Sequence, residues 1–125
     1  MTLQTFTTDK IAPPVGPFSA AVRAGGLTCL SGQVALDPLT GKLIAGDVQA
    51  QAEQVLKNLD AVLAAADRTF ADVIRVGVYL TDMADFAAVN EVYKRHFQAP
   101  YPARTAIAVA ALPLGARVEM DAIAR

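Results

Sequence analysis

The chain has 125 residues, a net charge of −1 at pH 7, 54% hydrophobic residues and 18% charged ones. Domains run to about 100–200 residues, so the length predicts one domain spanning 1–125, able to bury a core without staples. This composition excludes a disordered chain, offers no basic footprint for nucleic acid or an anionic membrane, and with one Cys and one His leaves no intramolecular disulfide and no Cys-based zinc cage.

The first residues, Met1 to Thr5, lack the basic and apolar regions of a secretory leader, and no apolar run approaches the roughly 20 residues of a membrane span. A cytoplasmic location is therefore expected. A short strand is predicted near Thr5–Thr7. The segment Ala12-Pro13-Pro14-Val15-Gly16-Pro17 is rich in proline, which fixes φ and removes donors, and predicts an ordered loop. Runs Phe18–Arg23 and Leu27–Gln33 follow as strands, with Gly25-Gly26 between them as the tight turn of a hairpin. Asp37-Pro38-Leu39-Thr40-Gly41 has the composition of a second turn.

Asp47 is a good helix N-cap. Val48, Ala52, Val55, Leu56, Leu59, Val62, Leu63 and Ala66 then recur at helical spacing, as one apolar stripe. From Ile74 to Leu80 the period is two, with Ile74, Val76, Val78 and Leu80 on one face and Arg75, Gly77 and Tyr79 on the other. Thr81 or Asp82 is expected to cap a second helix, with Phe86, Val89, Tyr93 and Phe97 as its stripe. Two strands close the chain: Arg104–Val109, with Arg104, Ala106 and Ala108 on one face, and Arg117–Ala124, with Glu119, Asp121 and Ile123 opposite Val118, Met120, Ala122 and Ala124.

Two helices cover only one face of so wide a sheet. The other face is predicted to carry Gly77, Ala106 and Ala108 beside a few charges. With 25 alanines and few charges in the chain, this face is expected to pack against further copies of the chain.

Several residues invite a chemical reading. Arg104 follows the stiff Pro100-Tyr101-Pro102-Ala103 and opens a strand of small residues, a setting suited to gripping a carboxylate with two parallel hydrogen bonds. A surface salt bridge is the simpler alternative from spacing alone. Glu119 is a candidate general base, or a partner in a cross-strand ion pair. Ser31 and Gly32, in Ser31-Gly32-Gln33, allow close approach of a ligand or form an ordinary bulge. Asn90 is either solvated or bonded to a neighbouring loop. His96 is expected to serve the carbonyls at its helix end, and Cys29 to be a small core residue.

Taken in order, Gly16-Pro17-Phe18-Ser19, Ser31-Gly32-Gln33, Thr81-Asp82-Met83, Phe86-Ala87-Ala88-Val89-Asn90-Glu91-Val92-Tyr93, Pro102-Ala103-Arg104 and Val118-Glu119-Met120-Asp121-Ala122-Ile123-Ala124 resemble the Rid family, the reactive intermediate (enamine/imine) deaminases. The resemblance covers nearly the whole chain. It implies a chorismate-mutase-like α/β fold, with a mixed sheet, two helices on one face, and a homotrimer whose sheets form a central barrel with active sites between subunits. It implies cofactor-free hydrolysis of 2-imino acids, such as 2-iminobutanoate and 2-iminopropanoate, to 2-oxo acids and ammonia. By the resemblance Arg104 binds the substrate carboxylate and Glu119 positions the attacking water, while Phe18, Ser31, Gly32, Asn90 and Ala106 shape the pocket. Phe18 stands where the family's deaminases usually carry tyrosine, and Ala106 where cysteine is frequent. The resemblance also admits a non-catalytic, metabolite-binding or chaperone-like trimer. Ribonuclease activity, ascribed to some relatives, is disfavoured by the near-neutral charge.

Overall fold

A computed structural model describes residues 2–125. Strands β1 (Gln4–Phe6), β2 (Ala21–Ala24) and β3 (Leu27–Gln33) come first. They are followed by α1 (Val48–Ala65), β4 (Val73–Leu80), α2 (Phe86–His96), β5 (Ala103–Ala108) and β6 (Val118–Ala124). The strands form one mixed six-stranded sheet in the order β1-β2-β3-β6-β4-β5. Only β4 and β5 run parallel, and α2 makes the crossover between them. Among the described residues no helix is long and apolar enough to cross a membrane.

Local chemistry accounts for the main elements. Gly25 and Gly26 both have positive φ, which matches the hairpin turn joining β2 to β3. The Asp47 carboxylate accepts the Ala50 N–H at 2.9 Å and starts α1. Every member of the predicted α1 stripe is buried, and Leu56, Leu59 and Leu63 pack against Val76, Val78, Leu80, Val118 and Met120 in one core between helices and sheet. Both helices lie on the same face of the sheet, packed on each other.

Some expectations fail for identifiable reasons. The second strand starts at Ala21 and not at Phe18, because the Phe18 N–H closes a turn on the Gly16 carbonyl at 2.9 Å. A register shift between Val73 and Arg75 puts Val73 in the core and turns Ile74 outward, so Ile74 does not join Val76 and Val78. Asp82 caps a 3-10 turn, Met83–Asp85, ahead of α2. Cys29 is exposed on the uncovered face and is not a core residue. His96 Nε2 meets Glu53 Oε2 at 2.9 Å, joining the two helices and not a helix-end carbonyl.

The face assignment of β5 also changes. Arg104, Ala106 and Ala108 pair with Val76, Val78 and Leu80, whose side chains are in the core. They therefore lie on the helix side of the sheet. Gly77 is on the uncovered face as expected, but its neighbours there are Thr105 and Ile107, not Ala106 and Ala108.

Candidate active site

Arg104 sits on the edge strand, half-buried beneath α2. Its guanidinium donates to Asn90 Oδ1 at 2.8 Å and lies over the Tyr93 ring at 4.7 Å and the Phe86 ring at 5.6 Å. The helical spacing of Phe86, Asn90 and Tyr93 is what brings all three over one strand residue. No carboxylate among the described residues pairs with this arginine. It opens instead on a cavity of about 330 Å³ lined by Asn90, Tyr93, Lys94, Tyr101, Pro102 and Arg104. Such a guanidinium, fixed in plane and unpaired, is suited to a carboxylate ligand.

Glu119 occupies the other face of the sheet. Its carboxylate lies against Gly32, where a Cβ would collide with it, so this glycine supplies close approach. Glu119 shares a cavity of about 260 Å³ with Pro13, Val15, Phe18, Val34 and Leu114, among other mostly apolar residues. Burial, and then the neighbouring Asp121 charge, hold its carboxyl above the ordinary carboxylate range. Asp121 itself accepts from the Gly77 N–H at 3.1 Å and the Tyr79 hydroxyl at 3.0 Å.

Residues 8–125 match the family described as Endoribonuclease L-PSP. The chain belongs to this family, the Rid family. It is 50% identical to Protein DfrA of Myxococcus xanthus, over 99% of this chain and 96% of that protein. It is 48% identical to the 2-iminobutanoate/2-iminopropanoate deaminase of Mus musculus, over 97% of this chain and 90% of that one. Among solved structures, RidA from the Antarctic bacterium Psychrobacter sp. PAMC 21119 superposes with a TM-score of 0.93 at 46% identity, covering 97% and 98% of the two chains. TdcF of E. coli with bound serine superposes with a TM-score of 0.90 at 39% identity, covering 97% of each chain.

For this Rid protein the predicted residues form two groups. Arg104 and Asn90 meet at one cavity, with Ala106 two residues along the same face of β5, its methyl packed on the core. Phe18, Gly32 and Glu119 meet at the other. Ser31 supports this second group from behind: its Oγ donates to the Ser19 carbonyl at 2.6 Å, and its N–H to the Ala20 carbonyl at 2.9 Å, pinning the segment that carries Phe18. Within one chain Arg104 and Glu119 therefore line separate cavities on opposite sheet faces. Neither makes an ion pair among the described residues, so the salt-bridge alternatives weighed from spacing do not hold. Sequence reasoning missed Tyr93, Lys94 and Tyr101 as walls of the Arg104 cavity, and Leu114 as a wall of the other. Tyr93 carried a signal, a polar tip in an otherwise apolar helical stripe, but periodicity alone reads it as core.

Proposed function

We propose that this protein hydrolyses 2-imino and enamine acids, such as 2-iminobutanoate and 2-iminopropanoate, to 2-oxo acids and ammonia without a cofactor. The observation that carries this reading is Arg104, held by Asn90 and two aromatic rings, unpaired with any described carboxylate, and open to a cavity. Relatives at 42–48% identity are named 2-iminobutanoate/2-iminopropanoate deaminases. The serine bound by TdcF bears an α-carboxylate of the kind a guanidinium grips.

Because Arg104 and Glu119 face opposite ways in one chain, the reading requires two copies. The helix-side edge of one subunit supplies Arg104, and the uncovered face of its neighbour supplies Glu119. A homotrimer with sites between subunits satisfies this requirement. The protonated imine is already electrophilic, so orientation and one placed water are the main demands. Glu119 takes a proton as the water oxygen bonds to the imine carbon, and the C=N electron pair moves to nitrogen. The resulting carbinolamine receives that proton on nitrogen. The ionised Glu119 then takes the hydroxyl proton as the C=O forms and the C–N bond breaks, so that ammonia and the 2-oxo acid leave, the ammonia picking up that proton as ammonium and leaving Glu119 ionised. A carboxyl raised above its ordinary range is better matched to this exchange near neutrality than a strong acid.

The test generates the imine in situ with an amino-acid oxidase or a threonine dehydratase and follows its clearance. Arg104→Ala should lower kcat/KM by a factor of about 100 or more, since a charged bidentate contact is lost, with the circular-dichroism spectrum unchanged. Equal clearance by the variant and the parent would count against the reading. Endoribonuclease activity, the family's other description, has little support in a chain of net charge −1.

A further inference from the structure

Pro113, Leu114, Gly115 and Ala116 make a tight turn, closed by the Ala116 N–H on the Pro113 carbonyl at 3.0 Å. Both central residues have positive φ, Leu114 at 59° and Gly115 at 74°. That is the pattern of a type I′ turn, whose favoured pair is Asn-Gly. Glycine suits its position. Leucine does not, because a left-handed backbone crowds its Cβ against the following carbonyl oxygen. Burial does not offset this strain, since Leu114 is 62% exposed and stands outside the hydrophobic core. Strain kept at an exposed residue points to function and not to stability. The turn also lies in a particular place. Leu114 lines the Glu119 cavity together with Val15, Phe18, Val34 and Leu36. Among the described residues Glu119 is the only ionisable group on that wall.

We propose that Leu114 is a specificity-determining residue, which covers the side chain of the imino acid held against Glu119 and favours larger apolar side chains over methyl. This deepens the proposed function and rests on it, since it takes the Glu119 cavity as the place of reaction. The imine carbon carries three groups. The carboxylate goes to Arg104 of a neighbouring copy, and the nitrogen takes the proton that Glu119 returns. The side chain is the group left for the apolar wall. At about 260 Å³ the cavity exceeds the roughly 150 Å³ that hold benzene in an apolar protein interior, so it has room for more than the methyl of 2-iminopropanoate. A wall of this kind favours an apolar chain by removing its surface from water, and disfavours a charged one, which would lose its hydration. Leu114 then ranks substrates by their side chains, whereas the acid group belongs to Arg104 and the imine chemistry to Glu119.

The signature is a variant that loses discrimination without losing stability. Leu114→Asn puts the favoured pair into the turn, because asparagine tolerates the left-handed backbone, and it replaces the apolar surface with an amide. Its melting temperature should equal or exceed that of the parent. An amino-acid oxidase supplies two imines, 2-imino-4-methylpentanoate from leucine and 2-iminopropanoate from alanine. The ratio of their kcat/KM values, the first over the second, should exceed one in the parent. In Leu114→Asn it should fall about tenfold, as for an apolar contact of a methylene or more. Leu114→Met keeps an apolar chain of similar volume and should hold the ratio within about twofold of the parent. Sedimentation is run on each protein. A ratio unmoved in Leu114→Asn overturns the inference, and so does a parent ratio below one. An equal loss of both activities with a lower sedimenting mass also overturns it, by making Leu114 a contact between copies. If the parent clears both imines and only the ratio fails to respond, this inference alone is lost. If the parent clears neither, the deaminase reading fails and takes the inference with it.

Discussion

Asp121 shapes the titration of the residue beside it on the uncovered face. Glu119 is raised first by burial and then by the Asp121 charge, two effects that both disfavour its ionised form. Tyr79 is raised as well, chiefly by burial and then by the hydrogen bond it donates to Asp121. Removing the Asp121 charge leaves the burial and deletes the repulsion. In Asp121→Asn the Glu119 carboxyl should therefore titrate at lower pH than in the parent. Carbon NMR of the free protein reads this directly. The kinetic consequence has the same sign. Glu119 must be ionised to accept a proton, so activity falls as pH drops through its pKa, and the acid limb of kcat/KM should move down in pH in the variant. A limb that stays in place would show that Glu119 is not the titrating base.

At the scale of elements, legibility in the sequence followed periodicity and failed where pairing decides. The α1 stripe was readable because one helix buries a single face whatever its neighbours do, and Val48 through Ala66 obey that rule. The strand from Ile74 was misread by one position because a bulge is a property of two strands, invisible in either alone. The faces of β5 were correctly grouped but assigned to the wrong side, since a parallel register with β4 sets which set meets the helices. The same ignorance hid the separation of Arg104 from Glu119. Their residue types pointed to acid binding and water activation, and the family resemblance supplied their roles, but no spacing tells which way two strands face.

Asn58 shows how one element supports the site through another. It is 2% exposed on α1 and donates from Nδ2 to the carbonyls of Val34 at 3.2 Å and Leu36 at 3.1 Å, while Oδ1 accepts from Gln54 at 2.9 Å. Val34 and Leu36 form part of the wall of the Glu119 cavity. Asn58→Ala takes the amide donor from the part-buried Leu36 carbonyl and one of two donors from the Val34 carbonyl, which keeps the Leu36 N–H, and should cost about 1–3 kcal/mol in urea denaturation. Asn58→Asp keeps the size but replaces the donating amide with an acceptor, and should cost at least as much near neutral pH. Equal stability of both variants with the parent would mean that the wall is held by packing alone.

For the whole molecule the decisive quantity is the uncovered sheet face. Leu27 at 43% and Ile107 at 45% exposure lie there with Cys29, beside the bonded pair Tyr79 and Asp121. Among the described residues no helix covers this face, and large apolar side chains left exposed there are a mark of association. The proposed reaction makes the same demand from another direction, because it needs Arg104 and Glu119 from different copies. Assembly and activity are thereby linked, and one substitution can test both. Ile107→Asp places a charge on the exposed side of the edge strand, away from the core, so the isolated fold should persist. The parent should sediment as a multiple of its 13.1 kDa chain mass, with the variant shifted towards one copy. Imine clearance should fall in proportion to the lost assembly and recover as concentration is raised, since association follows mass action. A parent that sediments as a single chain and still clears the imine would break the link, because one chain's Arg104 and Glu119 line separate cavities on opposite faces of its sheet.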